Sequence, residues 1–303
     1  MRVLAIGECM AELAPADIAG AYRLGFAGDT FNTAWYLARL MPEVSVSYFT
    51  ALGVDTISQD MRAFMQSSGI DDRHVRTVSD RTVGLYIISL TNGDRSFSYW
   101  RGQSAARLLA DDPDALQTAL ADADLIYFSG ITLAILDAND RAQLVEALRG
   151  ARAAGKTIAF DPNLRPKLWS SPTEMTESIM EGASVSDIAL PSFEDEARWF
   201  RDTAPETTAK RYGGAGALTV VVKNGANPVH FLERGALDQF AVDPLPDVVD
   251  TTAAGDSFNA GLFAGHAAGL SLRDGIGLAC RLARQVVQHK GALVPFDLSK
   301  HVA

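Results

Sequence analysis

The 303 residues are 48% hydrophobic and 21% charged, the balance of a globular protein able to bury a substantial core. A formal charge of −10 argues against nucleic acid or an anionic membrane as the main partner, and requires any anionic ligand to be held by local positive groups. Cys9 and Cys280, the only cysteines, form neither a disulfide framework nor a metal-ligand spacing, so reduced thiols and a cytoplasmic protein are expected. No apolar run approaches the roughly 20 residues that span a bilayer.

MRVLAIGE is too quickly acidic for a signal peptide and reads as a first strand. Residues 11–28 look irregular, with possible short strands. FNTAWYLARL follows Asp29-Thr30 as a capped helix. Residues 82–101, TVGLYIISLTNGDRSFSYWR, read as two strands about a turn at Asn92-Gly93. Together, 11–28 and 82–101 are expected to form a small sheet projecting from the main body as a lid. Period-2 geometry puts Phe97, Tyr99 and Arg101 on one face. Rings beside an arginine suit an anionic small molecule with one apolar surface; an exposed edge hairpin packing on the body is the alternative.

Strand and helix alternate clearly from residue 125 onward. LIYFSG (125–130) is a short apolar strand. Residues 140–155 carry Leu144, Val145, Leu148 and Ala151 at helical spacing, with Gly155 as C-cap. TIAFDPN (157–163), a helix near 172–183, DIALPS (187–192), a helix from about 194 and LTVVVKNG (218–225) continue the pattern. Another apolar strand is expected to end at Val249. Such a chain forms a mainly parallel sheet covered on both faces, a three-layer α/β/α architecture in one domain over 1–303. Ligands in such sheets bind beyond the carboxyl ends of the strands. Asp161–Arg165, Ser192, Lys223–Gly225 and Asp250–Asp256 all fall at such ends.

Several chemistries lack their signatures. The chain has no G-x-x-x-x-G-K-[ST] loop, and GECMAE stands where a dinucleotide site would put its glycines, which disfavours a dehydrogenase. GGAG at 213–216 precedes a strand, five scattered histidines offer no zinc site, and no G-x-S-x-G elbow occurs. VDTTAAGDSFNAG at 249–261 stands out. It suits a capped helix N-terminus, or a nest of bare backbone N–H groups holding an anion beside Asp256.

Asp250–Asp256 fits D-T-x-[GA]-A-G-D, the C-terminal signature of the ribokinase-like (PfkB) carbohydrate kinases, and the chain resembles that family. IGECMAEL, GDTFNTAWYLAR, SYWRGQSA, SGITLAIL, DPNLRPKLW, VVKNGA and VVDTTAAGDSFNAG, in order from residue 6 to about 295, resemble the branch that phosphorylates 2-keto-3-deoxygluconate. The resemblance implies a ribokinase-like fold with a β-sheet lid, ATP as co-substrate, Mg²⁺ as cofactor and a small sugar acid as acceptor. Ala253, Ala254 and Gly255 then form the anion hole, and Asp256 is the base that accepts the proton of the attacking hydroxyl. The usual signature has glycine where Ala253 stands, so φ there is expected to be negative.

By the same resemblance Gly28, Asp29 and Asn32 meet sugar hydroxyls, and Tyr86, Tyr99, Arg101 and Arg165 contact substrate. The two arginines are the candidates for a carboxylate, which a guanidinium grips bidentately. Trp169 is expected to pack. Lys223 and Gly225 match an ATP-contacting loop, Ser192 a position near the phosphates, and Gln288, His289 and Gly291 the place of adenine contacts, with a plain C-terminal cap the alternative for Gly291. The family's Asn-x-x-Glu, which helps organise Mg²⁺, reads SFEDE here, so Asp195 and Glu196 compete for that role. Another PfkB substrate such as fructose, or a catalytically silent sugar- or nucleotide-binding regulator, remains an alternative. A homo-oligomer is expected, because the lid leaves an edge and an apolar face to cover. The C4 epimer and any monovalent-cation requirement are not decided by these residues.

Overall fold

The computed structural model describes residues 1–297 apart from Asp17, Ala19, Asn92 and Gly93. The Asn92-Gly93 turn therefore lies outside the described residues. In chain order the elements are β1 (Arg2–Ile6), β2 (Met10–Pro15), β3 (Tyr22–Ala27), α1 (Asp29–Leu40), β4 (Ser45–Leu52), α2 (Thr56–Ser67), β5 (Ile70–Asp71) and β6 (Val75–Thr77). Next are β7 (Gly84–Thr91), β8 (Asp94–Trp100), α3 (Pro113–Asp122), β9 (Leu125–Ser129), α4 (Gly130–Ile135), α5 (Ala138–Ala153), β10 (Thr157–Asp161) and α6 (Pro172–Ser184). The last are β11 (Ile188–Ala189), α7 (Phe193–Trp199), α8 (Pro205–Ala215), β12 (Thr219–Val222), β13 (Val229–Glu233), β14 (Ala236–Phe240), α9 (Ala254–Ala267) and α10 (Leu272–Val286).

The large sheet runs β14-β13-β12-β11-β10-β9-β1-β4-β5, with β6 also on β4. It is parallel from β5 to β12 and closes with an antiparallel β12-β13-β14 meander. Its strands read as apolar runs because both faces are buried. Alternate residues feed two cores: Val3, Ala5, Leu125 and Tyr127 pack with α1, α9 and α10, while Leu4, Ile6, Ile126 and Phe128 pack with α3, α5, α6 and α8. Gly155 follows α5 at φ +87, the left-handed residue expected to end it. Trp169 is buried as expected, with the Arg141 guanidinium 4.8 Å from its ring.

A second sheet, β3-β2-β7-β8, holds four strands. The possible short strands of 11–28 are two six-residue strands in antiparallel pairing, the first beginning at Met10, and they join the hairpin in the small sheet that was expected. Tyr22, Arg23 and Leu24 at the start of β3 are all exposed, so no buried face imposes the alternation by which a strand is read.

The expected strand ending at Val249 is absent. Residues 241–250 are irregular, and Val248 and Val249 are each 52% exposed. Pro244 and Pro246 remove ladder donors there, and the Val249 N–H donates to the Val287 carbonyl at the end of α10. Asp250–Asp256 thus reaches its place through a loop tied to α10. Cys9 and Cys280 are both unpaired. Among the described residues no helix is long and apolar enough to cross a membrane.

Candidate active site

The N-termini of α1 and α9 meet beyond the carboxyl ends of the central strands. Asp256 lies in the first turn of α9, where the N–H groups of Gly255 and Asp256 find no acceptor within the described residues. Ala253, just before the helix, sits at φ +59 and ψ 16. This corrects the expectation of a negative φ. A left-handed residue beside right-handed ones turns successive N–H groups to one side, which is how backbone makes an anion nest. The methyl group costs about 1 kcal/mol in that conformation, and the nest is formed despite it.

Asn32, near the start of α1, donates from Nδ2 to Asp256 Oδ2 at 2.8 Å. Its Oδ1 accepts from the Gly28 N–H at 3.3 Å, and Thr33 Oγ1 donates to the Asp256 carbonyl at 3.1 Å. Gly28 is extended, so its need is steric: a Cβ would stand 2.1 Å from the Glu8 carbonyl oxygen. Asp29 accepts from Asn163 Nδ2 at 2.7 Å. Gly28, Asp29, Asn32 and Asp256 are therefore brought together.

The Asp256 carboxyl is pushed up from its ordinary 3.8 to about 8. Burial is the main cause and the neighbouring Asp29 charge the next; Asp161 adds to them, while the Asn32 bond and Lys223 pull the other way. A carboxylate in this range is poised to exchange a proton near neutral pH. The helix N-terminus beside it favours an anion.

A pattern describing the pfkB family carbohydrate kinases matches residues 1–297. The chain belongs to that family. A 2-dehydro-3-deoxygluconokinase of Haemophilus influenzae is 40% identical over 97% of this chain and 95% of its own length. The protein of that name from Escherichia coli K12 is 38% identical over 97% of each. A PfkB protein from Polaromonas sp. JS666 superposes with a TM-score of 0.83 at 29% identity, over 95% of this chain and 96% of its own. A fructokinase of Xylella fastidiosa shares the fold, with a TM-score of 0.84 at 23% identity over 96% and 93% of the chains.

The remaining residues of this pfkB-family chain fall on two sides of the base. On the lid side, Tyr86 and Tyr99 oppose each other across β7 and β8 with ring centroids 5.8 Å apart, and Phe97 adds a third ring. The Tyr86 hydroxyl donates to Glu12 and is held protonated, mainly by burial and then by the Glu12 charge. Arg101, expected to face a substrate carboxylate, pairs through Nη2 with the buried Glu8, and its Nε has no partner among the described residues. Arg165 stands apart from these residues, after β10: it is exposed, its Nη1 donates to the Leu164 carbonyl at 2.8 Å, and that atom lies 3.7 Å from Asp195 Oδ2.

On the other side, Ser192 bridges to Lys223, and Gly225 turns the chain into β13 at φ +58. The Lys223 ammonium donates to Asp161 Oδ2 at 2.6 Å and Asn259 Oδ1 at 3.3 Å. Gln288 and His289 are exposed, with His289 Nδ1 2.9 Å from the Gln285 carbonyl oxygen. The Gly291 N–H donates to Asp250 at 2.8 Å, which joins this loop to the start of the nest.

Asp195 and Glu196 separate cleanly. Asp195 is half-buried, its carboxyl pushed up by burial, and it senses Arg165, Asp161 and Lys223. Glu196 is fully enclosed, binding Arg211 at 2.6 Å and the Tyr212 hydroxyl at 3.0 Å. Burial pushes it up to about 7, against the pull of Arg211.

Sequence reasoning placed Asp161 and Asn163 only within a strand-end segment, without a role, and missed Asn259, Tyr127 and Glu8. Asp161 and Asn163 stood in plain view in DPNLRPKLW as polar residues at a strand end. Asn259 lies three residues beyond Asp256, on the same side of an otherwise apolar helix. Tyr127 sits inside an apolar run, which gave no signal.

Proposed function

We propose that this chain transfers the γ-phosphoryl group of ATP to a hydroxyl of 2-keto-3-deoxygluconate, giving the 6-phosphate and ADP. The observation that carries the chemistry is Asp256: a carboxyl poised near pH 8, held by Asn32, and set in the first turn of a helix whose free N–H groups can take phosphate oxygens. Asp256 accepts the hydroxyl proton, the sugar oxygen bonds to the γ-phosphorus, and the bond from that phosphorus to the β-phosphate oxygen breaks. The free N–H groups of Gly255 and Asp256, turned to one side by the left-handed Ala253, receive the equatorial oxygens; the Ala254 N–H, expected to join them, donates to the Thr251 carbonyl at 3.1 Å. Asp29 and Asn32 orient the acceptor hydroxyls.

Among the described residues no group of three or more His, Cys, Asp or Glu is gathered to hold a metal. An ion carried by ATP keeps its waters and needs only one or two protein carboxylates. Asp195 is the carboxylate placed for it. Bound with ATP, Mg²⁺ supplies charge neutralisation across the phosphates.

The sugar-acid assignment draws on the 38–40% identical relatives named 2-dehydro-3-deoxygluconokinase. With Arg101 engaged by Glu8, the exposed Arg165 is the cation for the acid's carboxylate. The rings of Tyr86, Phe97 and Tyr99 cover the sugar, and closure of the lid excludes water and suppresses ATP hydrolysis. Two unpaired cysteines support a cytoplasmic setting.

A coupled ADP-release assay comparing 2-keto-3-deoxygluconate, its C4 epimer, fructose and ribose tests this. Turnover is expected on the ketodeoxy acid, reduced by about 10² or more in Asp256→Asn. Arg165→Ala is expected to raise KM for the acid and leave KM for a neutral sugar unchanged. Equal or better turnover on fructose would discard the acid; no turnover with ATP still bound would leave a regulator.

A further inference from the structure

We propose that Lys223 is a catalytic cation for the phosphoryl group in transfer, and that Asp161 is the positioning residue that stations it there. The proposal rests on the phosphotransfer reading of the site. Asp161 ends β10 and Lys223 follows β12, so the two meet across β11, a span of roughly 10 Å at two strand spacings. The four-carbon lysine stem, the Asp161 side chain and the 2.6 Å bond between them together cover that gap.

Asp161 is only 4% exposed, too enclosed to touch substrate. Its bonds run inward. Oδ2 accepts from Lys223 Nζ at 2.6 Å and from Asn259 Nδ2 at 2.7 Å, while Oδ1 accepts from the Asn163 N–H at 3.1 Å. Asn259 presents its Oδ1 to the same ammonium at 3.3 Å, and its Nδ2 also reaches the buried Tyr127 hydroxyl at 3.1 Å. Two of the three ammonium protons are therefore fixed, and the third has no partner among the described residues.

That third proton has an outlet. A Cβ built on Gly255 would stand 3.4 Å from Nζ, so the bare glycine of the nest lies directly beside the ammonium. Asn259 shares α9 with Asp256, so one helix carries both the base and part of the lysine's anchor. Charge argues the same way. Asp29 and Asp161 both raise the Asp256 carboxyl, whereas Lys223 lowers it. A γ-phosphoryl group entering beside three carboxylates needs a cation there. One already held in place requires no reorganisation as charge develops on the phosphoryl oxygens. A lysine otherwise swings freely on its stem, and the carboxylate removes that freedom. A residue that merely touched adenine or ribose would not need this double anchor.

The test compares wild type, Lys223→Met, Asp161→Asn and the double variant. The readouts are ADP release, calorimetric affinity for ATP, and affinity for ADP with aluminium fluoride as a mimic of the transferring group. Lys223→Met is expected to lower kcat by about 10² or more and to weaken the aluminium fluoride complex comparably, while ATP affinity changes far less. Asp161→Asn is expected to lower kcat, and the double variant to be no slower than Lys223→Met alone, because residues acting as a unit are not additive. Multiplying effects in the double variant overturn the role of Asp161. A raised KM for ATP at unchanged kcat overturns that of Lys223. Should Asp161→Asn fail to fold, Asn259→Ala, which removes the lysine's other anchor, takes its place in the cycle. The aluminium fluoride readout needs no turnover, so a failed sugar assignment leaves it decisive.

Discussion

Asn32 and Asp256 lie 224 residues apart in the chain and 2.8 Å apart in space, amide nitrogen to carboxylate oxygen. The bond joins the first turns of α1 and α9, and it also lowers the Asp256 carboxyl. The Asp256 carboxyl sits at about 8 with burial and Asp29 pushing it up and Asn32 holding it down. A base must be unprotonated to act, so kcat/KM is expected to rise with pH through a limb near that value. Asn32→Ala removes a lowering influence and moves the limb up. Asp29→Asn removes a raising one and moves it down. Rate profiles between pH 6 and about 10 read both shifts, and a limb that stays put in both variants removes Asp256 as its source.

The same shift works against the fold. A carboxyl raised from 3.8 to about 8 binds its proton more tightly in the native state than in the unfolded chain. Its contribution to stability is therefore greatest in acid and is lost as pH climbs between those two values. Asp256→Asn cannot ionise and escapes that loss. The variant is expected to be inactive yet to melt higher than wild type at pH 8, with the gap closing toward pH 5. Thermal unfolding across that range checks the sign, and a variant that melts lower than wild type at pH 8 contradicts it.

Much of this arrangement was legible before any coordinates. Ile126 and Phe128 on one face and Leu125 and Tyr127 on the other are what a doubly covered parallel strand looks like in sequence. Asp256 and its small neighbours were legible as a motif. The irregular path of 241–250 was not, because Val248 and Val249 supply a strand-like apolar pair while Pro244 and Pro246 act on hydrogen bonding, which hydropathy does not see. Nor was the Asp161–Lys223–Asn259 cluster. Its members come from three elements, and only the strand order brings them within bonding distance.

Ala253 offers a direct measure of strain at the nest. Its φ of +59 is a conformation glycine adopts freely and alanine does not. Ala253→Gly is expected to stabilise the fold by up to about 1 kcal/mol, offset in part by the greater freedom of glycine in the unfolded chain. Urea unfolding resolves a change of this size. A clear loss of stability would place the strain elsewhere.

The small sheet carries a prediction about assembly. Tyr22, Leu24, Phe97, Tyr99 and Trp100 are all substantially exposed on it. Apolar surface on an open sheet favours pairing with a second copy. Light scattering at micromolar concentration is expected to give a dimer or larger species, and Trp100→Lys to shift it toward the monomer. A stable wild-type monomer would sink the idea.

Asp195 and Glu196 adjoin in sequence but meet different surroundings, and mutation separates them. Glu196 is locked beneath Arg211, which also binds Asp202 at 2.6 Å. Removing that guanidinium strands two enclosed carboxylates, so Arg211→Ala is expected to cost about 3–5 kcal/mol of stability. The Mg²⁺ requirement of whatever remains folded is expected to be unchanged. Asp195 is half-buried near Arg165 and contributes no such lock. Asp195→Asn is expected to raise the Mg²⁺ concentration for half-maximal rate by about tenfold or more, with little change in melting. Titrating Mg²⁺ at fixed ATP, alongside thermal unfolding, gives both numbers for each variant. The opposite pairing, a metal effect from Glu196→Gln and none from Asp195→Asn, would require α7 to rotate on binding nucleotide.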